Sequence, residues 1–292
     1  MNEVNNLLGR IKTYTVDRET NLGYTLIYND EEYFLHHNEC NGKSLTPFEK
    51  VNAFMYIDKK GRPALTLYKP LITIGDINFL EVVSVKNDLG VFCNIGISKD
   101  ILLSKDDLPR SYSEWPKVGD KIICELKIKF NKLQLKIASK NYILAKKDPN
   151  NKYLVNEYVH GNVYRISPDG ISFVTEDFNV IFVFKTNYRN KYHLGEVDDI
   201  KIIDVHEEDY TGTLIKNKEE QISDDKERIL NYLKNNNGVM LITDKSSPEL
   251  INYNFHMSKK SFKNSLGSLF KDGLIEILDD KIILNIDNLP KK

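Results

Sequence analysis

Apolar and polar positions alternate along most of the chain, in short runs separated by turns rich in glycine, asparagine and aspartate. Residues 8–66, 74–138 and 159–215 repeat one order of signals: a glycine turn, an alternating strand, a second strand, a polar connection and a closing hairpin. Strands of this length with such turns are typical of small closed β-barrels. A supersecondary unit that recurs at this period predicts barrels in tandem.

The last quarter of the chain has a helical period instead. The polar stretch 216–225 predicts a hinge, and the order helix, short strand, two helices and hairpin predicts a winged helix-turn-helix. Residues 259–271 form the third predicted helix. Four apolar residues recur on it at helical spacing and are predicted to be buried: Phe262, Leu266, Leu269 and Phe270.

The barrel elements resemble the S1-type RNA-binding fold, a five-stranded oligonucleotide-binding (OB) barrel. The residues that carry this resemblance are Leu35-His36-His37-Asn38-Glu39, Val118-Gly119-Asp120 and Leu194-Gly195-Glu196. The predicted fold is therefore mainly β with an α+β C-terminal module. It consists of S1-like OB barrels over residues 1–70, 71–147 and 148–218, followed by a winged-helix domain over residues 219–292.

Charge and cysteine content narrow the class of protein. The chain has 41 Lys and Arg against 42 Asp and Glu, which excludes a generally polycationic nucleic-acid binder but leaves room for local patches. Residues 71–147 are the most basic segment. Three scattered cysteines (Cys40, Cys93 and Cys124) indicate a reducing compartment. No apolar run has the length of a signal peptide or a membrane span, so we expect a cytoplasmic protein without membrane contact.

Exposed rings on rigid strands are the candidate RNA contacts, because an unpaired base stacks on an aromatic face. Strand alternation predicts five outward positions: Phe34, His36, Phe92, Phe182 and Phe184. The S1 pattern is incomplete in every copy. Ser104 stands where a His or Pro is usual, Thr25 and Ser172 stand where an aromatic is frequent, and Glu49-Lys50 replaces the Gly-Asp of the first copy. The alternative interpretation is that these phenylalanines belong to the barrel cores.

Lysines near these positions are the candidate phosphate contacts. They are Lys127, Lys129 and Lys136 in the second barrel and Lys259, Lys260, Lys263 and Lys271 on the third helix of the winged module. A solvated strand or helix face is the alternative. The third helix of the winged module contains no arginine, and Asp279-Asp280 at the wing tip would repel phosphates. Sequence-specific recognition of DNA is therefore not indicated.

Motifs for catalysis are missing from the sequence. There is no P-loop, Gly-x-Gly-x-x-Gly, HExxH or Gly-x-Ser-x-Gly pattern. His206 beside Glu207-Glu208-Asp209 suggests a metal site, but a solvated hairpin turn explains this cluster better. We therefore expect a protein that is not an enzyme, with no metal site and no cofactor.

The chain resembles the conserved virulence factor B (CvfB) proteins of Gram-positive bacteria. The resemblance lies in residues 244–249 (DKSSPE) and 255–263 (FHMSKKSFK) with Gly267, and Leu108-Pro109, Trp115-Pro116 and Gly119-Asp120 fit the second barrel of that family. It implies three S1-type domains, a winged helix, RNA binding and post-transcriptional control of genes that include virulence factors.

The hypothesis is thus a non-catalytic regulator that binds single-stranded RNA through its barrels and its lysine-bearing helix. Two alternatives remain open. One is a DNA-binding transcription regulator led by the winged helix, with duplex DNA as the partner. The other is a protein-interaction scaffold with degenerate barrels.

Overall fold

The computed structural model describes residues 3–215 and 218–285. The chain divides into two compact units, residues 1–214 and 215–292. The first unit contains three closed five-stranded barrels, and the second contains helices with a three-stranded sheet. The predicted fold class, tandem barrels followed by a winged helix, is confirmed. The four predicted domain boundaries stay a prediction.

Each barrel has the strand order 1-2-3-5-4, closed by a parallel contact between its third and fifth strands. Barrel 1 follows the short helix α1 (Glu3–Leu7) and consists of β1 (Ile11–Thr20), β2 (Gly23–Tyr28), β3 (Glu31–His36), β4 (Lys50–Ile57) and β5 (Pro63–Thr66). Barrel 2 consists of β6 (Ile77–Lys86), β7 (Gly90–Cys93), β8 (Ile101–Ser104), β9 (Lys121–Lys129) and β10 (Lys132–Ile137). Barrel 3 follows the helix α2 (Lys140–Leu144) and consists of β11 (Tyr158–Ser167), β12 (Gly170–Val174), β13 (Val180–Phe184), β14 (Val197–Val205) and β15 (Tyr210–Thr213).

A β-bulge bends the first strand of every barrel at the same place. The register shifts directly after a fully buried valine, which is Val16, Val82 or Val163. Such bulges increase local twist and allow a five-stranded sheet to close on itself. The repeat seen in the sequence is therefore also a repeat of backbone geometry.

The turn before the fourth strand also recurs, and its geometry corrects the predicted position of the Gly-Asp pair in barrel 1. Asp120 Oδ2 accepts the backbone N–H of Lys117 at 2.6 Å, and Glu49 Oε2 accepts that of Thr46 at 3.1 Å. Phe48 then lies where barrel 2 has Gly119, and both have a positive φ, 68° and 94°. The Gly-Asp of the S1 pattern is thus replaced by Phe48-Glu49, one position earlier than predicted.

The barrels pack against one another through apolar side chains. One apolar cluster contains Phe54 of barrel 1, Val91 of barrel 2 and Phe173 of barrel 3, all nearly or fully buried. A second cluster joins Ile123 of barrel 2 to Tyr164 of barrel 3. Phe54 belongs to the shared cluster and not to the core cluster of its own barrel, so its burial stabilises the contact between barrels.

The second unit consists of α3 (Lys218–Asn235), β16 (Val239–Met240), α4 (Pro248–Phe255), α5 (Lys259–Lys271), β17 (Ile275–Ile277) and β18 (Ile282–Leu284). Its sheet has the order β16-β18-β17. Ser247 and Ser258 cap α4 and α5 with their hydroxyls, and Pro248 occupies the first turn of α4. The order of helices and strands agrees with the pattern predicted from the sequence.

Two predictions about this unit are wrong. The polar stretch 216–225 is not a hinge over its described part, because α3 already begins at Lys218; residues 216 and 217 lie outside the described residues. Phe270 is 55 % exposed rather than buried. At 3.6 residues per turn it lies about 80° around the helix from Phe262, at the edge of the buried stripe.

None of the described helices is long and apolar enough to cross a bilayer. The three cysteines are buried free thiols. Burial raises the pKa of Cys93 to about 12, so this thiol is a poor nucleophile.

Candidate nucleic-acid interface

One surface of each barrel is formed by the outward side chains of its second and third strands. In barrel 1, Phe34 of β3 lies opposite Thr25 of β2. The same register places Phe92 opposite Leu102 in barrel 2 and Ser172 opposite Phe182 in barrel 3. We call these surfaces the strand faces; they consist of Thr25, Phe34 and His36, of Phe92, Leu102 and Ser104, and of Ser172, Phe182 and Phe184.

All five rings predicted from the sequence lie on the strand faces: Phe34, His36, Phe92, Phe182 and Phe184. Their strand neighbours Leu35, Val91 and Val183 are fully buried, which shows that alternation points the rings away from the barrel interior. The interpretation of these phenylalanines as core residues is therefore wrong. Their contact with RNA stays a prediction.

The rings on two strand faces form edge-to-face pairs. Phe182 and Phe184 have centroids 4.9 Å apart at an interplanar angle of 87°, and Phe34 and His36 have centroids 6.2 Å apart at 82°. Phe184 is 48 % exposed. Each ring holds its neighbour in place, so one face of the pair is presented to solvent in a defined orientation.

In barrel 2 the single ring is accompanied by a small cavity of about 140 Å³. Phe92, Lys99, Lys132 and Gln134 line it, together with Ile57 of barrel 1. Lys99 Nζ donates to the backbone oxygens of Ile57 at 2.5 Å and Asp58 at 3.3 Å. Burial lowers the pKa of Lys99; Asp58 opposes this shift and Lys132 adds to it. The cavity brings a ring, two ammonium groups and an amide together.

Sequence reasoning missed three of these residues. Lys132 and Gln134 follow the same outward alternation on β10 as Lys136, so the sequence contains the signal for them. Lys99 precedes β8, and it joins the cavity only because barrels 1 and 2 pack together. No local pattern identifies it.

The lysines predicted for barrel 2 are exposed but not equivalent. Lys127 Nζ lies 2.7 Å from Oε1 of the buried Glu125, so part of its charge is already balanced. Lys129 Nζ lies 5.8 Å from the centroid of the exposed Phe130 ring. Lys136 is exposed on the neighbouring strand. Lys129 and Lys136 are therefore better placed to meet a phosphate than Lys127.

The lysines of the winged helix fall on the solvent side of α5. Lys260, Lys263 and Lys271 are exposed, and Lys259 is half-buried. Lys263 Nζ lies 3.9 Å from Asp244, a loose contact that leaves the ammonium group accessible.

The wing tip is less repulsive to phosphates than the sequence predicts. Asp279 is paired with Lys245, whose Nζ lies 2.9 Å from its Oδ1. The hydrogen bond from this ammonium group lowers the pKa of Asp279 and keeps the carboxylate charged. The pair nevertheless offsets one of the two negative charges of Asp279-Asp280.

The acidic turn after β14 has a structural explanation. Asp209 Oδ2 accepts from Lys140 Nζ at 2.5 Å, and the backbone oxygen of Glu208 accepts from Lys147 Nζ at 3.1 Å. His206 Nε2 lies 2.8 Å from the hydroxyl of Thr211. Among the described residues, no three His, Cys, Asp or Glu side chains are grouped as metal ligands would be.

Comparison with known proteins relates this arrangement to a family. The chain is 32 % identical over 269 residues to the uncharacterized protein YitL of Bacillus subtilis (strain 168), covering 91 % of this chain and 90 % of YitL. It is 30 % identical over 260 residues to conserved virulence factor B of Staphylococcus epidermidis (strain RP62A), covering 88 % of this chain and 87 % of that protein. The chain belongs to the conserved virulence factor B family.

Sequence models of the family's parts match the two units. The CvfB-like winged helix domain matches residues 227–284, and the CvfB first S1-like domain matches residues 77–133, which form barrel 2 of this member. The general S1 domain matches residues 8–68 in barrel 1. A solved structure also resembles this CvfB-family chain: a multidomain protein with nucleic acid binding domains from Streptococcus pneumoniae TIGR4. The TM-score is 0.63 at 28 % identity, over 96 % of this chain and 99 % of that one.

Proposed function

We propose that the protein binds single-stranded RNA without catalysing a reaction on it. In this proposal it acts in the cytoplasm in post-transcriptional regulation of gene expression, including that of virulence genes. The observation that carries the proposal is the recurrence of outward rings at equivalent positions of three barrels. The regulatory part follows from membership of a family named for conserved virulence factor B.

Stacking accounts for the choice of a single strand as ligand. An unpaired base exposes its π-face and gains about 1–3 kcal/mol on a suitable ring, whereas the bases of a duplex are already stacked. Each strand face has only one or two rings, so one barrel alone binds weakly. Barrels that are packed into one unit raise the effective concentration of the strand at the next face, so their affinities combine.

The first test removes two rings from the strand face of barrel 3. Phe182→Ala together with Phe184→Ala is expected to weaken binding of a fluorescein-labelled, mixed-sequence single-stranded RNA by at least about 30-fold in an anisotropy titration, because two stacking contacts are lost. The fold should persist, since both rings point outward. Circular dichroism and a thermal melt check this.

A matched control removes exposed apolar side chains elsewhere in the same segment. Leu154 is 72 % exposed and Val155 is 51 % exposed, in the turn before β11. The double alanine variant at these positions should bind RNA as the parent does. Equal losses for both double variants, or none for either, would contradict a specific role for the strand face.

The second test concerns the winged helix. Lys260→Glu together with Lys263→Glu is expected to weaken RNA binding about tenfold at low salt. It should also reduce the slope of log affinity against log salt by about 1.4, or 0.7 for each lost phosphate contact with a single strand. Each single variant, Lys260→Glu or Lys263→Glu, is compared with Lys234→Glu on α3, an exposed lysine of the same unit, because all three change the net charge by the same amount. An unchanged salt slope in the double variant removes α5 from the interface.

Competition at matched salt separates the remaining hypotheses. Single-stranded RNA should displace labelled RNA, while a duplex DNA competitor should not. Preferential displacement by duplex DNA favours a transcription regulator led by the winged helix. Failure of the wild-type protein to bind any mixed RNA pool favours a scaffold for proteins.

A further inference from the structure

The tip of the β9–β10 hairpin in barrel 2 exposes an aromatic ring. Phe130 is 85 % exposed, and with Asn131 it forms the two-residue connection between the paired residues Lys129 and Lys132. A phenylalanine in this position contributes little to the barrel core. The barrel core therefore does not account for its ring.

The backbone of the tip makes the choice of residue more unusual. Phe130 and Asn131 have φ values of 51° and 55°, as a two-residue hairpin of this hand requires. Asparagine, aspartate and glycine adopt such values at least cost, and the β2–β3 hairpin uses Asn29 and Asp30 for the same turn. A bulky residue with positive φ is strained, so Phe130 is not there for the sake of the turn.

The charge around the ring suits a polyanion with flat groups. The hairpin exposes five lysines: Lys121, Lys127, Lys129, Lys132 and Lys136. Its single acidic residue, Glu125, is buried and paired with Lys127. Lys129 Nζ lies 5.8 Å from the Phe130 centroid. Phosphates meet ammonium groups, and bases meet the ring.

Lys132 connects this tip to the strand face of barrel 2. It directly follows the turn, and it also lines the 140 Å³ cavity that contains Phe92. The two rings are thus joined by one cationic side chain. A strand with one base on Phe92 and another on Phe130 would pass Lys132 between them.

The equivalent tips of the other barrels are engaged by the protein itself. The tip of barrel 1 is bound through the backbone oxygens of Ile57 and Asp58 by Lys99. The tip of barrel 3 is bound by Lys140 and Lys147 of the α2 region. The tip of barrel 2 differs from both in presenting a ring to solvent.

We propose that Phe130 is a base-stacking residue that extends the RNA path of barrel 2 beyond its strand face. An unpaired base lies on the Phe130 ring, and the flanking phosphates contact Lys129 and Lys132. This inference rests on the proposed function for the class of ligand. It adds a binding position that the S1 pattern of strand residues does not contain.

The test uses two phenylalanines in the same backbone conformation. Phe130→Asn is expected to weaken RNA binding about tenfold while leaving the melting temperature unchanged or raising it, because the turn is relieved of strain as the ring is lost. Phe48 is the matched control: it is also 85 % exposed, with φ 68°, and lies in barrel 1 next to Glu49. Phe48→Asn should show the same stability effect without loss of affinity.

Two further measurements separate this inference from the proposed function. If Phe92→Ala weakens RNA binding but Phe130→Asn does not, the tip is not a contact and the strand face is. If wild-type protein binds no RNA, both proposals fail together. Photocrosslinking of wild-type protein to 5-iodouridine RNA, read by mass spectrometry, should label the tryptic peptide of residues 130–132. Labelling of other peptides alone would overturn the inference.

Discussion

Replacing Gly170 with alanine will destabilise barrel 3 by about 3 kcal/mol and disorder its strand face. A Cβ at this position would lie 2.2 Å from the backbone oxygen of Val183 and 2.8 Å from Cζ of Phe182. The oxygen belongs to a strand that is paired along its whole length with β12, so it has no room to retreat. The strands must separate locally, and the rings move with them.

Urea denaturation measures the loss of stability. The affinity for RNA should fall in parallel, because Phe182 is displaced. Gly23 and Gly90 are equivalent, with an added Cβ 2.1 Å from the oxygens of Leu35 and Leu103. Gly267 on α5 is the contrasting position, since an added Cβ there would meet nothing within 4 Å. Gly267→Ala should stabilise its own unit by about 1 kcal/mol. A Gly170→Ala variant as stable as the parent would show that the close approach is not a constraint.

The second large effect is expected at the junction of barrels 2 and 3. His193 Nε2 lies 2.9 Å from Asp120 Oδ2, and its Nδ1 lies 2.6 Å from Glu196 Oε2. The ring thus lies between a carboxylate of barrel 2 and a carboxylate of barrel 3. His193→Ala should cost about 2–3 kcal/mol in the free energy of unfolding, because two partly buried carboxylates then lose the ring that lies between them.

Backbone contacts keep those carboxylates in place when the ring is removed. Asp120 also accepts the N–H of Lys117 at 2.6 Å, and Glu196 accepts the N–H of His193 itself at 3.0 Å. They cannot easily turn away from each other. Increased protease sensitivity of the junction would accompany the loss of stability.

The control for this variant is a second histidine–aspartate pair in barrel 3. His160 Nδ1 lies 2.5 Å from Asp199 Oδ1, but the side chains are 73 % and 65 % exposed. Water and salt screen such a pair, so His160→Ala should leave stability unchanged. If the two alanine variants lose the same stability, burial of His193 at the junction has no special weight.

Much of the strand pattern follows from residue order. Gly23–Tyr28, Gly170–Val174 and Val180–Phe184 form strands because apolar alternation and turn residues act over a few positions. The same alternation sends Phe34 and Phe182 outward. The start of helix α3 could not be predicted in this way, because its first turns from Lys218 are polar and lack an apolar period.

Three features of the candidate interface could not be predicted from the sequence. Lys99 reaches its cavity across the boundary between barrels 1 and 2. Lys127 forms an ion pair with Glu125, which lies two positions earlier on the same face of the strand. The sequence does not show that Phe130 lies in a turn, because a phenylalanine in a hairpin is usually a strand residue; its φ value shows this.

Residue order alone specifies the repeat, the fold class, the family resemblance and which face of each strand its rings occupy. These depend on periods of two or 3.6 residues and on turn chemistry, which are local. Three features emerge only when the chain is folded: the shared apolar cluster of the barrels, the contact of His193 with two of them, and the pairing that leaves some lysines free to meet a phosphate. These features depend on contacts between residues that are far apart in the chain, because packing of the barrels determines which side chains are buried and which are paired.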